Sequence, residues 1–156
     1  MEKVMNNGGK YGKYLMQDII LTPEKEQEDL DTGYASSGKR RIFWMDGNNM
    51  PGCWQLNASW YLPTDQAEKP DDRSAELPMH VHDVDEIVCY AGTDPEHPWD
   101  LGGEIEMVIG DERHVLTKST LLFLPAGLPH SLPCLAKIDR PIFHFSTVLN
   151  NEYIAK

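Results

Sequence analysis

Cysteine is scarce in this chain: Cys53, Cys89 and Cys134 stand alone among 156 residues, odd in number, far apart and without a Cys-x-x-Cys pair. That pattern argues against a disulfide framework or a thiolate zinc site, and predicts reduced thiols in a cytoplasm. Long apolar runs are missing too. No stretch approaches the roughly 20 residues of a membrane-crossing helix, and the opening MEKVMNNGGKYGKY has no apolar core of a secretory signal. Positive charge is in deficit, with 14 Lys and Arg against 25 Asp and Glu and a net charge of −11. Nucleic acids and anionic membranes both need a positive face, so neither is an expected partner. Lys39-Arg40-Arg41 is the one basic cluster and reads as the solvated start of a strand.

Several catalytic signatures are also absent. There is no Gly-x-Ser-x-Gly elbow, no Walker-type glycine loop, no His-Glu-x-x-His helix and no cysteine beside a plausible base. Nucleophilic hydrolysis therefore has little support. Internal repeats and low-complexity tracts are lacking, and helical periodicity is almost absent.

What is there reads as one ordinary globular domain, long enough to bury a core without disulfides. Residues 1–40 form an N-terminal extension and residues 41–156 the main body. Within the extension, Tyr14 to Leu21 is a hydrophobic island expected as a strand or edge element. Thr22-Pro23-Glu24 starts a brief helix, with Thr as N-cap, Pro at the first helical position and acids in the first turn.

From Arg41 the texture is β. Ile42 to Met45 ends at the turn Asp46-Gly47-Asn48-Asn49. Cys53 to Leu62 alternates: Trp54, Leu56, Ala58, Trp60 and Leu62 make an apolar row expected in the core. Gln55, Asn57, Ser59 and Tyr61 make a polar row expected toward solvent, with a pocket mouth as the alternative. Pro63 to Pro78 is a charged, proline-broken loop, and Gly92 to Gly103 another. Glu104–Ile109 and Arg113–Leu116 form a hairpin around Gly110-Asp111. Leu121 to Leu124 reads as a buried strand, and Pro141 to Leu149 as a closing strand. Many short strands between turn signals favour an antiparallel sandwich or barrel.

The chemistry concentrates in Pro78 to Gly92, PMHVHDVDEIVCYAG. If extended, this stretch puts the even-numbered His80, His82 and Glu86 on one face, a partial coordination sphere for a divalent metal. Cys89 faces the other way and reads as core packing. A third imidazole, His130, follows Phe123-Leu124-Pro125-Ala126-Gly127.

His80-x-His82-x3-Glu86-x5-Gly92 followed by Pro125-x-Gly127-x2-His130 resembles the paired motifs of the cupin superfamily. Ser119 stands where the second motif normally opens with Gly, Cys134 where it normally closes with Asn, and the first motif is one residue short before its Gly. The resemblance covers roughly Arg41 to Leu149. It implies an all-β fold, a small antiparallel jelly-roll-like β-barrel, with His80, His82, Glu86 and His130 as metal ligands. The cofactor so implied is a divalent transition metal, among Fe, Mn, Ni, Co and Zn.

Candidates for proton transfer are Tyr90, which shares the ligand face, His144 on the closing strand, and Glu106. Glu104 and Glu106 share a face and read as solvated hairpin carboxylates, with entry into the pocket as the alternative. His97 and His114 read as exposed, and Asp83 and Asp85 as lying opposite the ligand face. The expected function is a small-molecule metalloenzyme of dioxygenase, isomerase or lyase type acting on a small organic molecule. The competing expectation is a non-catalytic module that binds a metal or a metabolite. A homodimer is expected, with residues 1–40 a candidate for exchange between copies.

Overall fold

The computed structural model describes residues 9–17, 21–31, 34, 38–63 and 77–156. The hydrophobic island falls partly outside these. A short 3-10 turn covers Gly12–Tyr14, and Leu15 to Gln17 carry no regular structure. The expected helix is present as α1 (Pro23–Asp31). Its cap is the one the sequence supplies, since Lys25 donates its backbone N–H to Thr22 Oγ1 at 3.3 Å.

Among the described residues ten strands follow: β1 (Lys39–Met45), β2 (Gln55–Tyr61), β3 (Met79–His80), β4 (Glu86–Gly92), β5 (Asp100–Ile109), β6 (Glu112–Lys118), β7 (Thr120–Leu124), β8 (His130–Ser131), β9 (Cys134–Ile138) and β10 (Ile142–Val148). One sheet has the order β1-β2-β10-β4-β7; the other has β3-β8-β5-β6, with β9 also on β5. All pairings are antiparallel. The fold is all-β, as expected. The jelly-roll-like arrangement is open where the word barrel implies closure: among the described residues the two sheets face one another and no ladder joins them.

Cross-strand register makes a lattice of the inner face of the first sheet. Gln55, Val148 and Glu86 lie in one row, Asn57, Ser146 and Val88 in the next, and Ser59, His144 and Tyr90 in the third. A bulge between Arg41 and Phe43 shifts the parity of β1, so that Arg41 and Trp44 both reach inward beside this lattice. The apolar core lies toward the other sheet and includes Tyr61, Tyr90, Leu101, Ile105, Met107 and Ile142.

Two side-chain assignments invert. On β2 the polar row is the inner one, with Gln55 and Ser59 both 0% exposed, while Trp54 is 66% exposed. Alternation separates the two faces of a strand, but apolar-inside holds only for a dry interior, and this one is a polar-lined cavity. On β7, Leu124 points inward, but Leu121 and Phe123 are exposed rather than buried. Cys89 does face away from the ligands, yet it sits half-buried on the outer sheet face and not in the core.

Candidate metal centre and its cavity

The expected single strand through Pro78–Gly92 is two strands. β3 ends at His80, residues 81–85 cross between sheets, and β4 begins at Glu86. The residues converge by sheet-to-sheet crossing instead of by parity along one strand. His80 sits opposite His130 on the β3–β8 pair, His82 lies in the crossing segment, and Glu86 starts the facing sheet. One ligand atom from each of the four falls within 4.8 Å of those of the others.

Backbone contacts hold the crossing in place. Gly127 donates its N–H to the His82 carbonyl at 2.8 Å, with Gly127 at φ +80°, a backbone region that suits glycine. The motif glycine Gly92 is needed for a different reason. A Cβ there would stand 1.9 Å from the Asp100 carbonyl oxygen. The departure at Ser119 is accommodated, because its Oγ accepts the Gly92 N–H at 2.9 Å and donates to the Pro98 carbonyl at 2.7 Å. Asp83 contacts Lys156 Nζ and Asp85 accepts the Ala126 N–H at 2.9 Å, so neither joins the cluster.

The ring tautomers decide what the cluster can hold. His82 Nδ1 lies 2.6 Å from the Ile154 carbonyl oxygen, and His130 Nδ1 lies 2.9 Å from that of Leu128. A carbonyl only accepts, so both Nδ1 atoms carry the proton, and the neutral rings turn Nε2 lone pairs inward. Those Nε2 atoms face Glu86 Oε2, at 3.3 Å from His82 and 3.0 Å from His130. His82 Nε2 is buried without a hydrogen-bond partner. Lone pair against lone pair is repulsive unless a cation lies between, either a proton or a metal. The donor set therefore fits a divalent transition metal: three imidazoles, one carboxylate and no thiolate.

In the metal-free chain a proton can take the cation's place. Burial works against the Glu86 carboxylate, but His130 and His82, when protonated at Nε2, outweigh it and bring Glu86 down to about 2. Burial also opposes charge on His82, yet Glu86 and the Ile154 carbonyl carry it above the usual histidine value. His80 goes the other way, lowered to about 4 by burial and then by the neighbouring His130 and His82. Tyr153 stacks edge-on against His82 at 4.8 Å, with its hydroxyl 3.4 Å from His80 Nε2.

Beside the quartet lies a cavity of about 380 Å³. Its walls include the inner lattice of β2, β10 and β4, and Cys134 also lines it. Arg41 was expected in solvent as part of a strand start; its side chain is 6% exposed and pairs with Asp29 of α1 at 2.7 Å. It also gives a hydrogen bond to Asn57 Oδ1. Lys25 sits over the Trp44 ring at 4.5 Å. α1 thus caps the cavity through polar contacts, and it buries no residue of its own.

No protein-family model matches the sequence, and no curated protein is significantly similar to it. Solved structures do match. A recombinant oxalate oxidase in complex with glycolate aligns with 97% of this chain and 65% of its own, at 13% identity and a TM-score of 0.50. A Klebsiella pneumoniae protein with a double-stranded β-helix domain aligns with 65% of this chain and 71% of its own, at 14% identity and a TM-score of 0.40. Hydroxypropylphosphonic acid epoxidase from S. wedmorenis gives 61% and 42%, at 18% identity and a TM-score of 0.39. This chain therefore spans less than half the length of the epoxidase and under two thirds of the oxalate oxidase. At such identities the likeness is one of fold, and it rests on the first of these.

The chain has the cupin fold.

Within this cupin fold the three proton-transfer candidates part company. His144 is buried on the cavity wall. Its Nδ1 donates to the Cys89 carbonyl at 3.0 Å, its Nε2 lies 3.4 Å from Asn57 Nδ2, and its ring stacks on Tyr61 and Tyr90 at 4.9 and 5.0 Å. Burial lowers its pKa to about 4, so the neutral ring turns a lone pair toward Asn57. Tyr90 also lines the cavity, and burial pushes its hydroxyl far above the usual phenol range. Glu106 does not reach the cavity wall. It is 1% exposed, against the solvated expectation, because Arg113 Nη1 covers its carboxylate at 2.9 Å. His97 is exposed and His114 partly so. Arg41 and Tyr153 escaped the sequence reading as site residues, and the polar row of β2 lines the cavity, the alternative to its expected place in solvent. The one signal for that row was its alternation.

Proposed function

We propose that His80, His82, Glu86 and His130 hold one divalent transition metal, and that the cavity beside them binds a small organic molecule. The chain is on this reading a small-molecule metalloenzyme of the dioxygenase, isomerase or lyase kind. The observation that carries it is the inward turn of the His82 and His130 lone pairs onto the Glu86 carboxylate, with both Nδ1 protons spent on backbone carbonyls. A bound divalent metal supplies Lewis acidity and, with iron or manganese, access to dioxygen. The chain's own groups do the rest. Tyr90 stays protonated and offers a hydrogen bond, His144 holds the Asn57 amide in place through its neutral lone pair, and α1 with Arg41 covers the cavity against water. The test is turnover and oxygen uptake by metal-loaded protein across small hydroxy and keto acids, glycolate first because the oxalate oxidase structure holds it. Substrate loss that vanishes in Glu86→Gln supports the enzyme; binding without any chemical change contradicts it.

One observation favours the second reading, a non-catalytic binding module. His144 and Tyr90 both titrate far from neutrality, whereas general acids and bases work best near it.

Self-association belongs to the same proposal. The outward positions of β2, β10, β4 and β7 carry Leu56, Ala58 and Trp60, then Phe143, Phe145 and Thr147, then Ile87, Cys89 and Ala91, then Leu121 and Phe123. None is charged, in a chain of net charge −11. Two copies repel elsewhere and can meet on this face, whose aromatic content suits an interface core. A homodimer through this face needs no exchange of residues 1–40, of which 1–8, 18–20, 32–33 and 35–37 lie outside the described residues.

A further inference from the structure

Three inward polar residues follow one another along β2, and they differ in how they are satisfied. Asn57 Oδ1 accepts from Arg41 Nη1, and its Nδ2 donates to His144 Nε2. Ser59 Oγ meets the Tyr34 hydroxyl at 2.5 Å. Gln55 is 0% exposed, and neither its Nε2 nor its Oε1 has a hydrogen-bond partner. Its backbone is pinned on both sides, with its N–H on the Asn150 carbonyl at 2.8 Å and its own carbonyl accepting the Thr147 hydroxyl at 2.6 Å. The side chain is therefore held toward the cavity that it lines. Buried amides are almost always paired, and one left open calls for an explanation.

Register says where that amide stands. Gln55, Val148 and Glu86 share one cross-strand row. Two strand spacings separate the Gln55 and Glu86 backbones by about 10 Å, and both side chains point to the same side. A molecule lying between the quartet and Gln55 has one end at each.

We infer that Gln55 contacts the bound small molecule, and that this molecule carries, at its end away from the quartet, a neutral pair of adjacent groups, one donating and one accepting a hydrogen bond. This rests on the metal-and-cavity reading above. A carboxamide edge offers one donor and one acceptor side by side. A carboxylate would satisfy Nε2 and leave Oε1 facing lone pairs, so an anionic far end is disfavoured. Vicinal hydroxyls or a hydroxy-carbonyl pair satisfy both atoms. A carboxylate is a group that a metal held by the quartet would take, so small hydroxylated acids are the probes of this class.

The test compares D-erythronate with 2-hydroxybutanoate, which shares the acid end and lacks the distal hydroxyls. Both are titrated calorimetrically into manganese-loaded wild type and Gln55→Met, whose side chain keeps the length without the amide. The expected result is at least tenfold tighter binding of erythronate by wild type. In Gln55→Met the gap closes to within twofold, with 2-hydroxybutanoate affinity retained. Metal-free Gln55→Met unfolds at the same or higher urea concentration than wild type, since it loses an unpaired amide. An equal gap in both proteins, no gap in wild type, or a clearly destabilised variant overturns the inference. If manganese binds and the gap is absent, the inference alone falls. If neither manganese nor either probe binds, the metal reading falls with it.

Discussion

His82 gives its Nδ1 proton to the carbonyl of Ile154, 72 residues further along the chain, at 2.6 Å. The tail that supplies this carbonyl is itself tied down, because Val81 and Lys156 exchange backbone hydrogen bonds in both directions at 3.0 Å. The tautomer of a proposed ligand is thus set by the last few residues. Removing residues 153–156 is expected to weaken metal affinity about 10- to 100-fold, the usual cost of losing an outer partner. The far-ultraviolet spectrum should stay that of a β protein. Competition against a chelating indicator dye measures the first, and unchanged affinity would refute the role of Ile154.

His144 makes stability depend on pH. It titrates at about 4 in the fold because burial disfavours its charged form, against 6.5 for a free histidine. Below 6.5 the unfolded chain takes up a proton that the folded chain refuses, so stability falls as pH drops toward 4 and is complete above 6.5. The limiting slope is about 1.4 kcal/mol per pH unit. Urea unfolding of metal-free protein at stepped pH should show a shallower decline over this window in His144→Gln than in wild type. Parallel profiles would mean that His144 carries no such linkage.

Much of the fold was legible because strand and turn signals are local. The helix cap at Thr22, the hairpin at Gly110 and the closing strand all lie where residue pattern puts them. The four clustered residues were legible as a motif, yet for the wrong geometric reason. Parity along one strand suggested convergence, whereas the chain crosses between sheets after His80. The inverted β2 faces were not legible, since alternation names two faces and tertiary context chooses the inner one. Gln55 and Trp54 traded places on that account. Arg41 reaches the cavity through a bulge that shifts parity, and Ile154 acts through its backbone, which carries no side-chain signal.

The outer sheet face gives a prediction about assembly. Leu121 and Phe123 are 69% and 63% exposed on the edge strand β7. Placing Leu121→Glu and Phe123→Glu together should convert a dimer to a monomer in light scattering, with little change in unfolding midpoint, because both side chains already face solvent in one copy. A double variant that stays dimeric would exclude this face.

The central claim is that four converging side chains hold a metal, and metal content tests it most directly. Untagged protein purified without chelator is analysed for elements beside the double variant His82→Ala, His130→Ala. The account predicts about one Fe, Mn, Ni, Co or Zn per wild-type chain and essentially none in the variant. Equal metal in both proteins, or none in a wild type offered each of these ions, would contradict it.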